Sequence, residues 1–335
     1  VAALEREVAA MLDGAPVAAV SSGGAALLVA FKALALGPGD EVVVPAFAFP
    51  AAAQAAAWLG ALPVAADVDP ETFAATPETV AAVLTPATRA VVLVHAFGIP
   101  GDAEALSASC LDYGLFLVED AACSLGGRTL SGRPSGTVGT LGCYSLHPRK
   151  VATTGEGGLV TGSPDMLDRV RSLRDYGRTG VGPGDIFSDV GLNFRMSDLA
   201  ASIGRVQAGR ITASRNGRAT LVARYIDGLS GLPGVQIPAG WDLPGQTWQS
   251  FVVRILGDAN GAREAMNREG IGAGVAAHAL TDQGFYRRIA PRDTPCPVAE
   301  TLARECLALP LFDEMSIDQV DQVVSSLKNI VRRVR

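Results

Sequence analysis

Residues 42–66, VVVPAFAFPAAAQAAAWLGALPVAA, carry no charge and are long enough to span a bilayer, so their reading decides the fold. Pro45, Pro50, Gln54, Gly60 and Pro63 interrupt the run, and much of the rest is alanine. The flanks are acidic, at Asp40, Glu41, Asp67 and Asp69, with no basic residue to mark a cytoplasmic side. The stretch reads as strand, helix, strand inside a soluble core. Outward from it the alternation continues. Val17 to Val20, Glu41 to Val44, Val64 to Ala66, Ala90 to Val94 and Leu115 to Val118 are short β-rich runs. Helical patterns lie between them, at Gly24 to Leu36, Ala51 to Leu59, Pro77 to Leu84 and Asp102 to Tyr113. Such alternation predicts an α/β protein with a mainly parallel sheet covered on both faces. A long helical pattern from Ser197 to about Gly228 completes a large domain over residues 1–228. Residues 229–335 read as a smaller α+β C-terminal domain.

The 335 residues include 28 basic and 34 acidic side chains, a formal charge of −6, and 48% are hydrophobic. The chain can bury a full core and lacks the electrostatic footprint of a duplex-DNA binder. Its only lysines, Lys32, Lys150 and Lys328, are followed by Ala33, Val151 and Asn329, which excludes the Gly-Lys-Ser/Thr of a P-loop. Arg332-Arg333-Val334-Arg335 reads as a solvated helix end. Five cysteines form no C-x-x-C pair and no leader peptide is visible, so a reduced, cytoplasmic compartment is expected. His95, His147 and His278 lack metal-ligand spacing, and no metal site is expected.

Three local patterns carry candidate chemistry. In Val118-Glu119-Asp120-Ala121-Ala122 an apolar strand ends in two carboxylates. An Asp there is commonly a turn-former or cap, and it could instead ligate magnesium or hold a cationic ring nitrogen. Tyr144-Ser145-Leu146-His147-Pro148-Arg149-Lys150 leads into Thr154-Gly155-Glu156-Gly157-Gly158. Lys150 is either a surface lysine in a loop or a partly desolvated amine able to form a Schiff base near the sheet edge that holds ligands. Ser145 could hydrogen-bond a phosphate. Ser21-Ser22-Gly23-Gly24-Ala25 opens the first helix with exposed N–H groups, a ready anion site. An anion site, a strand-end Asp and an isolated lysine together meet the needs of pyridoxal phosphate.

The spacing also resembles the DegT/DnrJ/StrS family of pyridoxal-phosphate-dependent sugar aminotransferases. The resemblance runs from Val1 to about Val331. It is carried by Ser22-Gly23, Gly37-Pro38-Gly39-Asp40-Glu41-Val42, Pro45 with Phe47 and Phe49, and Val94-His95 with Gly98. Glu119-Asp120-Ala121-Ala122, Ser145 with His147-Pro148 and Lys150, Thr154 to Gly158, and Asn193-Phe194-Arg195-Met196 extend it. It implies a fold-type-I transferase working as a homodimer with shared active sites. Lys150 resembles the Schiff-base lysine and proton shuttle, and Asp120 the partner of the pyridine nitrogen. Phe49 is similar to the aromatic residue that stacks on the ring. Ser145 and the backbone of Gly23, Gly24 and Ala25 resemble the phosphate cradle. Asn193 is similar to an asparagine that reaches the phosphate from the neighbouring subunit, and Arg195 to a support for that loop.

Several positions depart from the family pattern. Gly24 and Ala48 stand where Thr is common, Cys123 where Gln or His is common, and Val151 where Asn is frequent. Ala276-Ala277 replace a usual His-Tyr, and Thr281 a downstream His. These last changes fall where the family shapes its substrate pocket. The expected reaction is a ping-pong transamination from glutamate or glutamine to a keto sugar, nucleotide-linked, in amino-sugar biosynthesis. Thr154 to Gly158 is more like the branch acting at C4 than the branch acting at C3. A keto-cyclitol transaminase and a non-catalytic pyridoxal phosphate-binding sensor or assembly subunit are the alternatives, and neither nucleic acid nor membrane is an expected partner.

Overall fold

The computed structural model describes residues 1–180, 185–242 and 245–334; Arg335 of the basic cluster lies outside them. Seven strands form the principal sheet: β1 (Val17–Val20), β2 (Glu41–Pro45), β3 (Leu62–Ala66), β4 (Thr88–Val94), β5 (Phe116–Asp120), β6 (Leu141–Ser145) and β7 (Gly158–Gly162). Their order is β1-β7-β6-β5-β4-β2-β3. Strands β2 to β6 run parallel, whereas β7 is antiparallel to both β6 and β1. The uncharged stretch is therefore strand β2, a helix over Ala51–Trp58 and strand β3. Among the described residues no helix is long and apolar enough to cross a membrane.

Continuous apolar strands suit this sheet because both of its faces are covered. Val42 and Val44 pack into the cluster beneath helices Gly23–Ala33 and Ala51–Trp58, while Val43 packs oppositely with Leu93, Leu106 and Cys110. Alternate side chains of one strand thus feed two cores.

The expected single helix from Ser197 to Gly228 is two helices, Asp198–Ala208 and Ile211–Leu229. Ser197 does cap the first, its Oγ accepting from Ala200 N–H at 3.2 Å. The break at Gly209-Arg210 turns the chain so that Ile211 is buried, packed over the bare Cα of Gly126. Helical periodicity continues across the break, which is why sequence pattern alone does not reveal it. The stretch from Pro77 yields only a short helix, Pro77–Ala81.

A second sheet comprises β8 (Val235–Gln236), β9 (Phe251–Ile255), β10 (Gly274–Val275) and β11 (Cys306–Leu309), ordered β8-β9-β11-β10 and antiparallel throughout. Specific contacts hold this part of the chain against the first sheet. His278–Ala279 pairs with Phe47–Ala48, and Leu280 N–H donates to Ala46 O at 2.7 Å. Ala65 N–H, on edge strand β3, donates to the Tyr286 hydroxyl at 2.7 Å. Asp67 accepts from Val298 and Ala299 N–H at 3.0 and 2.9 Å, capping helix Pro297–Glu305 from a distant segment. A carboxylate at a helix start satisfies open amides and meets the positive end of the dipole. Asp67→Ala is expected to cost about 1–2 kcal/mol, measured as a lower urea midpoint with an unchanged slope.

Candidate active site

The ends of three parallel strands meet at the site. His95 follows β4, Glu119 and Asp120 end β5, and Ser145 ends β6. Successive strand residues face opposite ways, so Glu119 and Asp120 enter different surroundings. Glu119 is fully buried and accepts from His95 Nε2 at 2.8 Å and from the amides of Gly136, Val138 and Gly139 at 2.8, 2.6 and 2.6 Å. Gly101 N–H donates to His95 Nδ1 at 3.2 Å, which places the ring proton on Nε2, facing Glu119. Burial alone would raise the Glu119 pKa, but the His95 bond and the Gly139 and Gly136 amides outweigh it and hold the carboxyl below its ordinary range.

Asp120 is the opposite case. It too is buried, yet the structure gives it a single donor, Ala122 N–H at 3.1 Å, and no ion pair among the described residues. Burial pushes its pKa up, and Ala122 N–H and the nearby charge of Lys150 only partly offset that. A cation beside this carboxylate is what the fold leaves out.

Lys150 lies within the loop of residues 146–157 that joins β6 to β7. Its Nζ lies 3.1 Å from Cys123 Sγ and 3.3 Å from Gln249 Oε1. Among the described residues it forms no salt bridge with a carboxylate, so the amine is held by neutral groups. Sequence reasoning places Gln249 only at the start of a strand to Ile255 and gives it no role at the site; the strand itself is Phe251–Ile255. The signal available was a polar Gln249-Ser250 pair opening the apolar strand β9.

The start of helix Gly23–Ala33 is the candidate anion site. Ser22 caps helix Gly23–Ala33, and its Oγ accepts from Ala25 N–H at 3.0 Å. The Ala25 amide is thus occupied, and the first-turn amides without an acceptor among the described residues are those of Gly23 and Gly24. The helix start presses against β6 and β7. A Cβ on Gly23 would lie 2.7 Å from Ser145 Cβ, and one on Gly158 would lie 2.2 Å from Ser22 O. Ser145 Oγ accepts only a 3.3 Å contact from His147 N–H and sits beside the free amides.

Phe49 is 67% exposed, whereas Phe47, two residues before it, is buried among Phe73 and Phe97. Phe49 is therefore not part of this chain's hydrophobic core. Asn193 is exposed, and its Oδ1 accepts from Arg195 N–H at 3.3 Å. Ser21 N–H donates to Phe194 O at 2.7 Å, so this loop passes beside the anion site. Arg195 supports the loop by pairing with Asp175 and lying 5.8 Å from the centre of the Tyr176 ring. Within one chain, Lys150, Asp120, Ser145 and the Gly23–Gly24 amides share one end of the sheet, and Asn193 faces outward.

Known proteins resemble the chain over nearly its whole length. The family model described as the DegT/DnrJ/EryC1/StrS aminotransferase family matches residues 1–328. A UDP-N-acetyl-3-dehydro-α-D-glucosamine 3-aminotransferase from Acidithiobacillus ferrooxidans is 33% identical over 333 residues, covering 97% of this chain and 87% of that protein. Among solved structures, the aminotransferase TlmJ from Streptoalloteichus hindustanus superposes with a TM-score of 0.93 at 31% identity, covering 99% of this chain and 90% of that one. A 3-amino-5-hydroxybenzoic acid synthase superposes with a TM-score of 0.94 at 27% identity, with coverage of 99% and 90%.

The two neighbouring carboxylates predict opposite mutational behaviour. Glu119→Ala strands four donors and is expected to cost at least about 3 kcal/mol at neutral pH. Because the folded-state pKa of Glu119 is depressed, this stabilisation is complete above the ordinary value of 4.5 and is lost as pH falls through the lower folded value. Urea unfolding of wild type and variant between pH 7 and 3 checks the convergence. Asp120→Asn removes an unneutralised buried charge while keeping an oxygen for Ala122 N–H. Its cofactor-free thermal midpoint is expected to equal or exceed that of wild type.

Proposed function

The chain belongs to the DegT/DnrJ/EryC1/StrS aminotransferase family, whose members depend on pyridoxal phosphate, and from that premise we propose that it moves an amino group from glutamate or glutamine to a nucleotide-linked keto sugar. The observation that carries the site assignment is the buried, unneutralised Asp120 beside an amine held only by neutral groups. These residues fit the cofactor. Asp120 would accept from its ring N–H, and the Gly23 and Gly24 amides with Ser145 Oγ would hold its phosphate. The exposed ring of Phe49 would cover its aromatic face.

When bound, the cofactor supplies a protonated ring that takes up the electron pair released at the amino carbon. Asp120 keeps that ring nitrogen protonated by its own charge. Lys150 Nζ would be both the nucleophilic amine that anchors the cofactor and the base that takes the proton from the donor's amino carbon and passes it to the cofactor's aldehyde carbon. An arginine at this position could do neither, since its guanidinium stays protonated.

A sugar acceptor is supported by the name of the curated relative, a UDP-sugar aminotransferase. That name specifies C3, whereas the Thr154 to Gly158 stretch favours C4, so the two ring positions make opposite predictions. Ala276, Ala277 and Thr281, which replace larger side chains of the family, lie on the segment paired with Phe47–Ala48 or adjoin it.

The proposed assembly is a homodimer in which Asn193 serves the site of the second copy. Ile186, Phe187, Val190, Leu192 and Leu199 are all more than half exposed around the Asn193 loop, and such exposed apolar side chains favour burial against another chain. Light scattering should report twice the 34.5 kDa chain mass. Leu199→Glu should shift the protein toward monomer and weaken pyridoxal phosphate binding, and a monomeric wild type would refute the assembly.

Purified protein with pyridoxal phosphate should show a visible absorbance band that glutamate or glutamine bleaches. Lys150→Ala should abolish the band and lower turnover by about 10³-fold or more. A band that survives in that variant refutes the role of Lys150, and a band that no amine donor bleaches favours a non-catalytic binding protein. Offering 3-keto sugars, 4-keto sugars, keto-cyclitols and α-keto acids to the aminated enzyme identifies the acceptor. Success with α-keto acids alone refutes the sugar reading.

A further inference from the structure

Gln249 lies on the other sheet's side of the molecule, two residues before β9, yet its side chain reaches the candidate catalytic lysine. Its Oε1 accepts from Lys150 Nζ at 3.3 Å and from Cys123 Sγ at 2.8 Å, while its Nε2 donates to Arg149 O at 3.2 Å. The amide orientation follows from the partners: an ammonium only donates and a backbone carbonyl only accepts. The oxygen must face Lys150, and the nitrogen must face the residue just before it. One side chain therefore grips the lysine's amine and the backbone that carries it.

The segment bearing Gln249 is itself held on three sides. Gln249 N–H donates to Phe97 O at 2.8 Å, and Thr247 N–H to Gly98 O at 3.1 Å. Thr247 Oγ1 donates to Cys123 O at 2.6 Å, so the same strap holds the cysteine that touches Lys150. Arg218, 6% exposed on helix Ile211–Leu229, donates through Nη1 to Trp248 O at 2.9 Å and to Gln249 O at 3.3 Å. Its Nε is fixed by Asp313 at 2.7 Å. Gly98 is required for this approach, because a Cβ there would lie 2.2 Å from Thr247 Oγ1. Phe97 and Trp248 both adopt positive φ, 59° and 47°, which costs each residue of order 1 kcal/mol or more. Strained non-glycine backbone on both sides of one contact persists only where the surroundings over-determine it, and here the contact ends on Lys150.

We propose that Gln249 is a positioning residue for Lys150, an accepting oxygen that holds the amine at the point from which it moves its proton. The proposal rests on the reading of Lys150 as the catalytic amine. It assigns the second sheet a part in the chemistry, since its leading segment supplies the contact.

The test uses the whole chain with pyridoxal phosphate and compares Gln249→Leu, which removes both polar atoms, with Gln249→Glu, which keeps an accepting oxygen at the same reach. Two quantities are read: the rate at which cofactor-free protein develops the visible band, and kcat and KM for bleaching by glutamate. Gln249→Leu is expected to slow band formation and lower kcat by about tenfold or more, with KM for glutamate within about twofold. Gln249→Glu is expected to return kcat to within about threefold of wild type. The proposal is overturned if Gln249→Leu matches wild type in both readouts. It is also overturned if both variants lose kcat equally with equal falls in thermal midpoint, which marks a structural role. Lys150→Ala, run alongside, separates the two levels. If that variant keeps the band, the assignment of Lys150 fails and the role of Gln249 fails with it. If it loses the band while Gln249→Leu behaves as wild type, only the role of Gln249 fails.

Discussion

Four donors converge on the buried carboxylate of Glu119, one from His95 after β4 and three from the turn of residues 136–139 that leads into β6. In a medium of low polarity each bond is strong and each omission is costly, so the arrangement has little freedom. It ties the carboxyl ends of β4 and β5 to the turn that enters β6. The end of β5 also carries Asp120, which would meet the cofactor. Asp120 inherits its place from Glu119, because the residue beside a fixed strand position can only point to the other face.

The same rigidity explains why Asp120 can remain poorly satisfied. Its burial is unfavourable without a cation, and the folded chain bears that cost rather than relaxing around it. Close backbone approaches complete the frame. Gly158 lets Ser22 O come near β7, and Gly23 lets helix Gly23–Ala33 start beside Ser145, so amides and a hydroxyl lie together. In a chain with only three lysines, such backbone amides are the candidate for holding an anion.

Much of this was legible in the sequence for physical reasons. The alternation of Val42–Val44 and Val64–Ala66 with an alanine-rich helix marks a two-sided core, and strand-end chemistry follows from such a sheet. Ser22-Gly23-Gly24, Asp120 and Ser145 each lie at an element boundary, and Lys150 in the glycine-flanked loop after β6, where local signals are strong. The failures share a cause. The break at Gly209-Arg210 was invisible because helical periodicity runs through it, and its reason is the burial of Ile211 against Gly126. The occupied Ala25 amide follows from a capping bond, which depends on the rotamer of Ser22.

By itself the sequence determined most of the order of elements and, with the family resemblance, the cofactor class, because hydrophobic periodicity and boundary residues act over a few positions. Tertiary structure alone decided that adjacent Glu119 and Asp120 have opposite fates, one saturated and one unneutralised. It also decided that Gln249, 99 residues from Lys150, comes within 3.3 Å of its amine. Both are matters of what a side chain meets across space, and that depends on how sheets and loops pack rather than on any neighbouring residue in the chain.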